Sequence, residues 1–291
     1  MTSAQQKVLK SMHERGEATR PQLSQATGLS LVSVGRAVAS LCSRGELYEI
    51  AEVPSGGGRP VKLYRYNADY ACHVLIRGLK EGALLSCTIT QLDLHGRELR
   101  GQHANFAYLE PESFDGVMMQ LLRRQKVRSI TLILPAENLP LGMAKHLKTL
   151  YNCPVNTPTP ATILAQGSKS ETATICLMPG TYPTCTMHRD GRFSESGPLH
   201  LLPAPTDWLS LDYSDRNQVE EMVARLLLTI TCIIQPERIT LYSPPFSLRL
   251  IERIRYNADT KLRNMLPHLT FEHIHSKLFV QKMLDFCVSC T

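Results

Sequence analysis

The sequence lacks the long apolar runs that a membrane-spanning helix needs. Nowhere in its 291 residues do roughly 18 uninterrupted apolar residues occur, so we expect no membrane partner. The nine cysteines are scattered and odd in number, which argues against a disulfide framework and favours buried thiols in a reducing compartment. The first residues are polar and have no apolar core of the signal-peptide kind. Together these absences predict a cytoplasmic protein.

Acidic residues are missing from one informative stretch. The whole chain carries a formal charge of only +6, which by itself is weak support for nucleic-acid binding. Residues 54–67, however, contain Arg59, Lys62 and Arg65 beside a run of glycines and no acidic residue. At this length two domains are expected. We place the boundary near Tyr70, with domains over 1–70 and 71–291.

The first 45 residues show three helical segments. Apolar spacing predicts helices over 4–15 and 31–44, and a shorter helix that begins after the N-cap Thr19. Gly28 allows a tight turn between the second and third helices, and Ser30 is a suitable N-cap for the third. The apolar residues assigned to the buried side of this pair are Leu23, Ala26, Leu29, Val34, Val38 and Leu41.

A hairpin follows the helices. The segments LYEIAEV and VKLYRYN have strand character, and SGGGRP between them is a turn sequence. Three helices and a glycine-tipped hairpin predict a winged helix-turn-helix. Beyond Cys72, strand-like and helix-like segments alternate, which predicts an α/β fold class for the second domain.

A helix-turn-helix recognises DNA with the N-terminal part of its second helix, which enters the major groove. Here Arg36 suits a guanine edge or a phosphate, the serines suit phosphates or bases, and Leu31 or Val32 suits a thymine methyl. In the wing, the small glycines place Arg59 for a narrow minor groove, and Lys62 and Arg65 for phosphates. The predicted contacts to a double-stranded DNA operator are Arg20, Ser30, Leu31, Val32, Ser33, Arg36, Gly58, Arg59 and Lys62.

The run ATGLSLVSVGRAVASL followed by GGGRPVKLYRYN resembles the DNA-binding domain of ROK-family repressors, a group that also contains bacterial sugar kinases. The resemblance continues more weakly, since CPVNTPTPATILAQG stands in the place of the family's catalytic strand-to-helix turn. It implies a degenerate ROK or actin-like two-lobed α/β domain after the winged helix. It also implies a homodimer, a sugar or sugar-phosphate effector, and repression of carbohydrate-related genes.

The departures from the family predict that kinase chemistry is lost. Residues 76–80 lack the acidic and hydroxyl groups of the family's first phosphate loop, and 179–183 is a reduced version of its second. Pro160 stands where the catalytic aspartate is expected and cannot remove a proton. Residues 194–205 contain no cysteine, so the zinc segment is missing. We therefore expect no catalytic residue, no cofactor and no metal.

Several other residues have a functional interpretation and a structural one. Cys287 and Cys290, with His273 and His275 upstream, form a weak zinc pattern, and packing of a terminal helix is the favoured interpretation. Further residues are more typical of surface or core positions than of a ligand site: His188, His200, Asp93, Asp115, Trp208 and Tyr213. Two alternative functions stay open, a ROK-type sugar kinase with a DNA-binding domain and a protein-interaction adaptor on the same fold.

Overall fold

The structure is a computed structural model that describes residues 2–55, 58–81, 83–123, 125–135, 139–198, 207–262, 265–274 and 277–289. Internal packing divides the chain into two compact units. Unit 1 consists of Met1–Cys72 together with Asp93–Arg97, and unit 2 consists of His73–Leu92 and Glu98–Thr291.

Unit 1 contains three helices and a three-stranded antiparallel sheet. Its elements in chain order are α1 (Ser3–Arg15), β1 (Glu17–Thr19), α2 (Arg20–Thr27), α3 (Leu31–Ser43), β2 (Leu47–Ser55) and β3 (Gly58–Tyr66). The sheet has the order β1-β3-β2. The three helices and the hairpin lie where the apolar spacing placed them, whereas the short strand β1 was not expected.

The core of unit 1 lies between the helices and one face of the sheet. Met12, Leu23 and Leu41 are fully buried there, and Tyr64 and Tyr66 of β3 close it from the sheet side. The expected buried set is largely confirmed: Leu23, Val34, Val38 and Leu41 are buried, and Leu29 is partly buried. Ala26 was assigned to this side wrongly, because it lies on the exposed face of α2.

The five residues Asp93–Arg97 complete unit 1 although they lie far along the chain. Leu94 is 7% exposed within the core, and its N–H donates to the carbonyl of Ala68. The carbonyl of Leu94 lies 2.9 Å from Nε2 of His13. Asp93 fixes the turn itself, because its carboxylate accepts from the backbone N–H groups of His95 and Arg97.

The described residues of unit 2 form two five-stranded sheets, and the expected mixed α/β class is confirmed. The first sheet has the order β6-β5-β4-β7-β8 and the second the order β11-β10-β9-β12-β13. Strands of the first sheet are β4 (Cys72–Glu81), β5 (Leu84–Leu92), β6 (Glu98–Phe106), β7 (Val127–Ile133) and β8 (Val155–Asn156). Those of the second are β9 (Thr172–Cys176), β10 (Thr184–Arg189), β11 (Arg192–Pro198), β12 (Arg238–Ser243) and β13 (His268–His273).

Six helices accompany these sheets in the described part of unit 2. They are α4 (Asp115–Leu122), α5 (Met143–Tyr151), α6 (Pro160–Ala165), α7 (Arg216–Ile234), α8 (Leu248–Leu262) and α9 (Lys277–Ser289). The helices α7 and α8 bury an apolar face against the second sheet, with Trp208 and Leu227 in that core. The strands β10 and β11 form a hairpin, and Asp190 and Gly191 at its turn both adopt positive φ.

No single helix within the described residues has the length and apolar character to cross a membrane. The helices α2 and α3 reach that apolar length only when taken together, and they are bent at 113° to each other.

Candidate nucleic-acid interface

The pair α2 and α3 has the geometry of a helix-turn-helix. The two helices meet at 113° across the three residues between Thr27 and Leu31, whereas DNA-binding pairs of this kind cross at about 90–120° over three or four residues. Gly28 makes the turn possible because it adopts the left-handed conformation, with φ 70° and ψ 12°. A residue with a Cβ is strained in that conformation.

Side-chain caps fix the start of both helices. Thr19 and Gln22 form a capping box at α2, in which each side chain accepts a hydrogen bond from the other residue's backbone N–H. Ser30 caps α3, because its Oγ accepts from the N–H of Ser33 at 3.2 Å. The two serine hydroxyls also lie 3.0 Å apart. The predicted DNA contacts Ser30 and Ser33 are therefore already joined to each other at the helix tip.

The remaining predicted contacts on the helices project outward. Leu31 is 55% exposed and Val32 66% exposed, and Arg36 follows Val32 by four residues and is also exposed. Arg36 has no hydrogen-bond or ion-pair partner among the described residues. Arg20, at the start of α2, places its guanidinium carbon 5.5 Å from the centre of the Tyr64 ring, which is within the range of a cation–π contact.

The chain that forms these two helices carries basic residues and no acidic one. Between Glu17 and Glu46 the chain contains Arg20, Arg36 and Arg44 and no acidic residue. Arg44 pairs with Glu46 at 2.9 Å, at the far end of α3. Nη1 of Arg20 lies 3.8 Å from the position of a Cβ added to Gly35, the residue before Arg36, so the N-terminal half of α3 presents positive and apolar groups together.

The β2–β3 hairpin, the predicted wing, carries less unpaired positive charge than its sequence suggested. Lys62 is paired with Glu49 of β2 at 2.9 Å, and this hydrogen bond raises the pKa of the Lys62 ammonium. Arg65 donates from Nε to Glu17 of β1 at 2.6 Å. A second acid, Glu52, is the register partner of Lys62 on β2. A phosphate would have to compete with these carboxylates.

The tip of the wing falls mostly outside the described residues. Gly56 and Gly57 are not described, and the side chain of Arg59 is not described either. The backbone of Gly58 and Arg59 belongs to β3, with Gly58 opposite Ser55. The contacts assigned to Gly58 and Arg59 stay predictions.

Unit 2 contains a small apolar cavity at the segment where the family's catalytic turn was expected. Its volume is about 90 Å³, which is below the roughly 300–1,000 Å³ of typical small-molecule sites. Apolar side chains form most of its wall, together with threonines 157, 159, 181 and 184. The apolar lining includes Leu132, Ile133, Leu134, Pro158, Pro160 and Met178.

Two close contacts occupy the segments 76–80 and 179–183, where the resemblance predicted phosphate loops. A Cβ added to Gly78 would lie 2.7 Å from Cδ2 of Leu134, so the leucine fills the space above this glycine. A Cβ added to Gly180 would lie 3.2 Å from Cβ and 3.4 Å from Cδ of Lys80. The aliphatic part of the Lys80 side chain therefore packs directly on Gly180, in the segment 179–183.

An acidic residue does reach the turn before α6, contrary to expectation. Oε1 of Glu195 on β11 accepts from Oγ1 of Thr159 at 3.1 Å and also from the Thr162 hydroxyl. Spacing along the chain does not indicate this contact, because Glu195 follows Pro160 by 35 residues and arrives through the β10–β11 hairpin. Thr159, Thr162 and Glu195 thus form a polar cluster at the start of a short helix.

Sequence analysis gave some residues both a functional and a structural interpretation, and those named here occupy packing positions. Trp208 is 3% exposed in the core of unit 2, and Phe286 and Cys287 are buried along α9. Burial raises the pKa of the Tyr213 hydroxyl. His188 stacks on Phe193 with ring centres 4.6 Å apart. His200, His275 and Cys290 lie outside the described residues.

Comparison with known proteins shows similarity at the level of the fold. No family model and no curated protein sequence matches the chain. A solved structure of a ROK family transcriptional regulator, described as a homologue of the E. coli MLC protein, has a TM-score of 0.58 at 13% identity, over 98% of this chain and 95% of that one. A putative N-acetylmannosamine kinase from Listeria monocytogenes has a TM-score of 0.48 at 10% identity, over 75% of this chain and 99% of that one. A putative N-acetylglucosamine kinase from Porphyromonas gingivalis has a TM-score of 0.45 at 9% identity, over the same shares.

Proposed function

We propose that the protein is a sequence-specific DNA-binding transcriptional regulator, a repressor of carbohydrate-related genes, whose unit 1 is a winged helix-turn-helix. The observation that carries the proposal is the tip of α3. It is held at 113° to α2, it projects Leu31, Val32 and Arg36 into solvent, and it lies in a stretch without acidic residues. A recognition helix needs these properties to enter the major groove.

A homodimer is part of the proposal. A single winged helix contacts few base pairs, and two half-sites bound together raise the affinity through the effective concentration of the second unit. A solved ROK family transcriptional regulator of like fold spans both units and supports the regulator at the level of the fold.

A sugar or sugar phosphate is the proposed effector, and unit 2 is the proposed sensor. The polar cluster of Thr159, Thr162 and Glu195 offers a carboxylate and hydroxyls beside the cavity, which are the groups that sugar hydroxyls pair with. Because the cavity measures only about 90 Å³, binding would have to widen it. A ligand that widens the cavity would shift the population of conformations of unit 2, and regulation would follow from that shift.

A sugar kinase is the second candidate, and Glu195 is the observation that favours it. A carboxylate at the start of α6 restores an acid at the turn where Pro160 replaced the expected base. Against this candidate, the carboxylate is bonded to two threonines, and Lys80 and Leu134 fill the space near the phosphate-loop segments. Phosphoryl transfer depends on loop amides and a metal ion placed around the phosphates. We therefore favour the regulator.

DNA binding is tested by selecting duplexes from a random library with the full-length protein and titrating the selected site at several salt concentrations. We expect the logarithm of the affinity to fall linearly with the logarithm of salt. Arg36→Ala should lose about 1–3 kcal/mol of specific binding, and the fold should be unchanged because the described residues offer Arg36 no partner.

The matched control is Arg249→Ala, which removes an exposed arginine near the start of α8 in unit 2. The control should bind like the unmodified protein. Equal affinity of the Arg36→Ala variant and this control for the selected site would contradict the proposed recognition helix.

A further inference from the structure

The apolar pair at the tip of α3 is unusual for its surroundings. Leu31 and Val32 are 55% and 66% exposed, although they are the first two residues of a helix whose other large apolar residues are buried. Single exposed apolar residues are ordinary on protein surfaces. Here two adjacent apolar side chains are exposed at the start of α3, in a stretch that has arginines and no acidic residue. This combination indicates a partner that is negatively charged and also offers apolar groups.

Hydrogen bonding within the tip engages the Ser30 hydroxyl both as donor and as acceptor. Ser30 and Ser33 are bonded to each other and to the start of the helix, with a backbone contact of 3.2 Å and a hydroxyl contact of 3.0 Å. Using the Ser30 hydroxyl for a base would weaken the cap, which typically stabilises a helix. The Ser33 hydroxyl only accepts in these contacts and keeps its own hydrogen. The groups at this tip that remain free for a partner are therefore the two apolar side chains, Arg36 and one hydroxyl donor.

Charge and chemistry together identify the partner's groups. Val32 and Arg36 are four residues apart, so they lie on one face of the helix. Arginine at this spacing and the absence of acidic residues between Glu17 and Glu46 suit a polyanion. In the major groove of DNA the apolar group on offer is the C5 methyl of thymine, and guanine presents the acceptor pair that arginine binds.

Resting on the proposed function, we propose that Leu31 and Val32 recognise thymine methyl groups in each half-site, next to a guanine bound by Arg36. The half-site is thus recognised at this helix mainly through methyl contact and one arginine, with little hydrogen bonding from Ser30. The inference extends the proposed function, because it specifies which bases the helix distinguishes and by which atoms.

Deoxyuridine substitution tests the inference directly. A uracil–adenine pair keeps every hydrogen-bonding group of a thymine–adenine pair and lacks the methyl alone. Each thymine of the selected site is replaced in turn, and the affinity of the full-length protein is measured by fluorescence anisotropy. We expect one or two adjacent positions per half-site to bind about four-fold more weakly, because burial of one methylene-sized group contributes about 0.8 kcal/mol.

Variants of the protein separate methyl contact from effects of uracil on DNA shape. Val32→Thr keeps the side-chain shape and replaces one methyl by a hydroxyl, and Leu31→Ala removes the apolar end. Each variant should bind thymine DNA more weakly and should lose its sensitivity to uracil at one position. Leu150→Ala is the matched control, because Leu150 is 53% exposed on α5 of unit 2. Both tip residues are exposed, so thermal unfolding should be unchanged in every variant.

The outcomes distinguish this inference from the proposed function. Specific binding with equal affinity for thymine and uracil at every position would overturn the inference and leave the proposed function standing. Uracil sensitivity that persists in both tip variants would also overturn it, because the effect would then come from DNA shape. If no duplex is enriched and no salt-dependent binding is found, both the proposed function and the inference fail.

Discussion

Alanine substitution at two glycines should change the stability of the α2–α3 pair in opposite directions. Gly28 has φ 70°, and an added Cβ would have nothing within 4 Å. The cost of Gly28→Ala is therefore the backbone strain of a left-handed residue alone, about 1–2 kcal/mol. Gly35 lies inside α3, and an added Cβ would be 3.8 Å from Nη1 of Arg20, an ordinary contact. Gly35→Ala should stabilise the helix by about 0.5–1 kcal/mol, because alanine loses less backbone entropy on folding.

Amide hydrogen exchange measures both effects where they arise. Local opening free energies set the exchange rates of protected amides. In peptides that cover α2 and α3, Gly28→Ala should speed exchange by about 5- to 30-fold, and Gly35→Ala should slow it by about two- to five-fold. These factors follow from the free energies above, because about 1.4 kcal/mol corresponds to a tenfold change in an equilibrium constant. Peptides from α7 in unit 2 are the internal control and should not change.

Three results would refute this reasoning. Unchanged exchange in Gly28→Ala would show that the turn does not hold Gly28 in the left-handed region. Faster exchange in Gly35→Ala would show that the added methyl meets a closer atom than Arg20. A change of equal size in the α7 peptides would show that the effect is global and says nothing about the turn.

Three further predictions concern unit 1. Glu49→Gln should free Lys62 for a phosphate and steepen the salt-dependence slope of DNA binding by about 0.9, whereas Glu221→Gln on α7, whose Arg225 partner lies in unit 2, should leave the slope unchanged. Leu94→Ala should destabilise unit 1 by about 2–5 kcal/mol, because a buried leucine is lost, and unchanged exchange in α1 peptides would contradict this. Burial, together with the neighbouring His13, lowers the pKa of His95 from 6.5, so unit 1 should be fully stable above about pH 6.5 and lose stability as the pH falls through the lowered value. Thermal unfolding of unit 1 followed between pH 5 and 8 checks this, and His95→Asn should flatten the profile.

Local sequence rules predicted the helical part of unit 1 well. The caps Thr19 and Ser30 and the glycine turn depend on neighbours within a few residues, so their chemistry is visible in the sequence. The assignment of Ala26 to the buried side was wrong because a small residue carries little information about which side of a short helix is covered.

Pairing across strands could not be predicted in the same way. Lys62 and Arg65 stood in a stretch free of acids, and only the strand register brings Glu49, Glu52 and Glu17 beside them. The strand β6 could not be predicted from the sequence for a related reason. Its residues are mostly exposed and polar, so no apolar alternation marks it, and it forms because β5 offers it an edge to pair with.

The position of Glu195 is the clearest case of information absent from the sequence. The expectation that no acid lies near Pro160 treated nearness along the chain as nearness in space. The hairpin β10–β11 turns at Asp190 and Gly191 and carries Glu195 back to the start of α6. A long-range contact of this kind depends on the assembled sheet, and neither spacing nor composition encodes it in a readable form.

The last prediction is that unit 2 neither binds Mg-ATP nor transfers phosphate to a hexose, even when an acid is restored at position 160. Pro160→Asp should fold, because position 160 is the first residue of α6 and an acid is favourable at a helix start. Activity should not return, because the stem of Lys80 still packs on Gly180 and Leu134 still covers Gly78, and phosphoryl transfer needs backbone amides placed around the phosphates. Calorimetry with Mg-ATP and a coupled assay for ADP over a panel of hexoses measure the two properties. Micromolar nucleotide binding by the unmodified protein, or sugar-dependent ADP release by either protein, would show that the space beside Gly78 and Gly180 opens in solution. Either result would make the kinase the leading candidate.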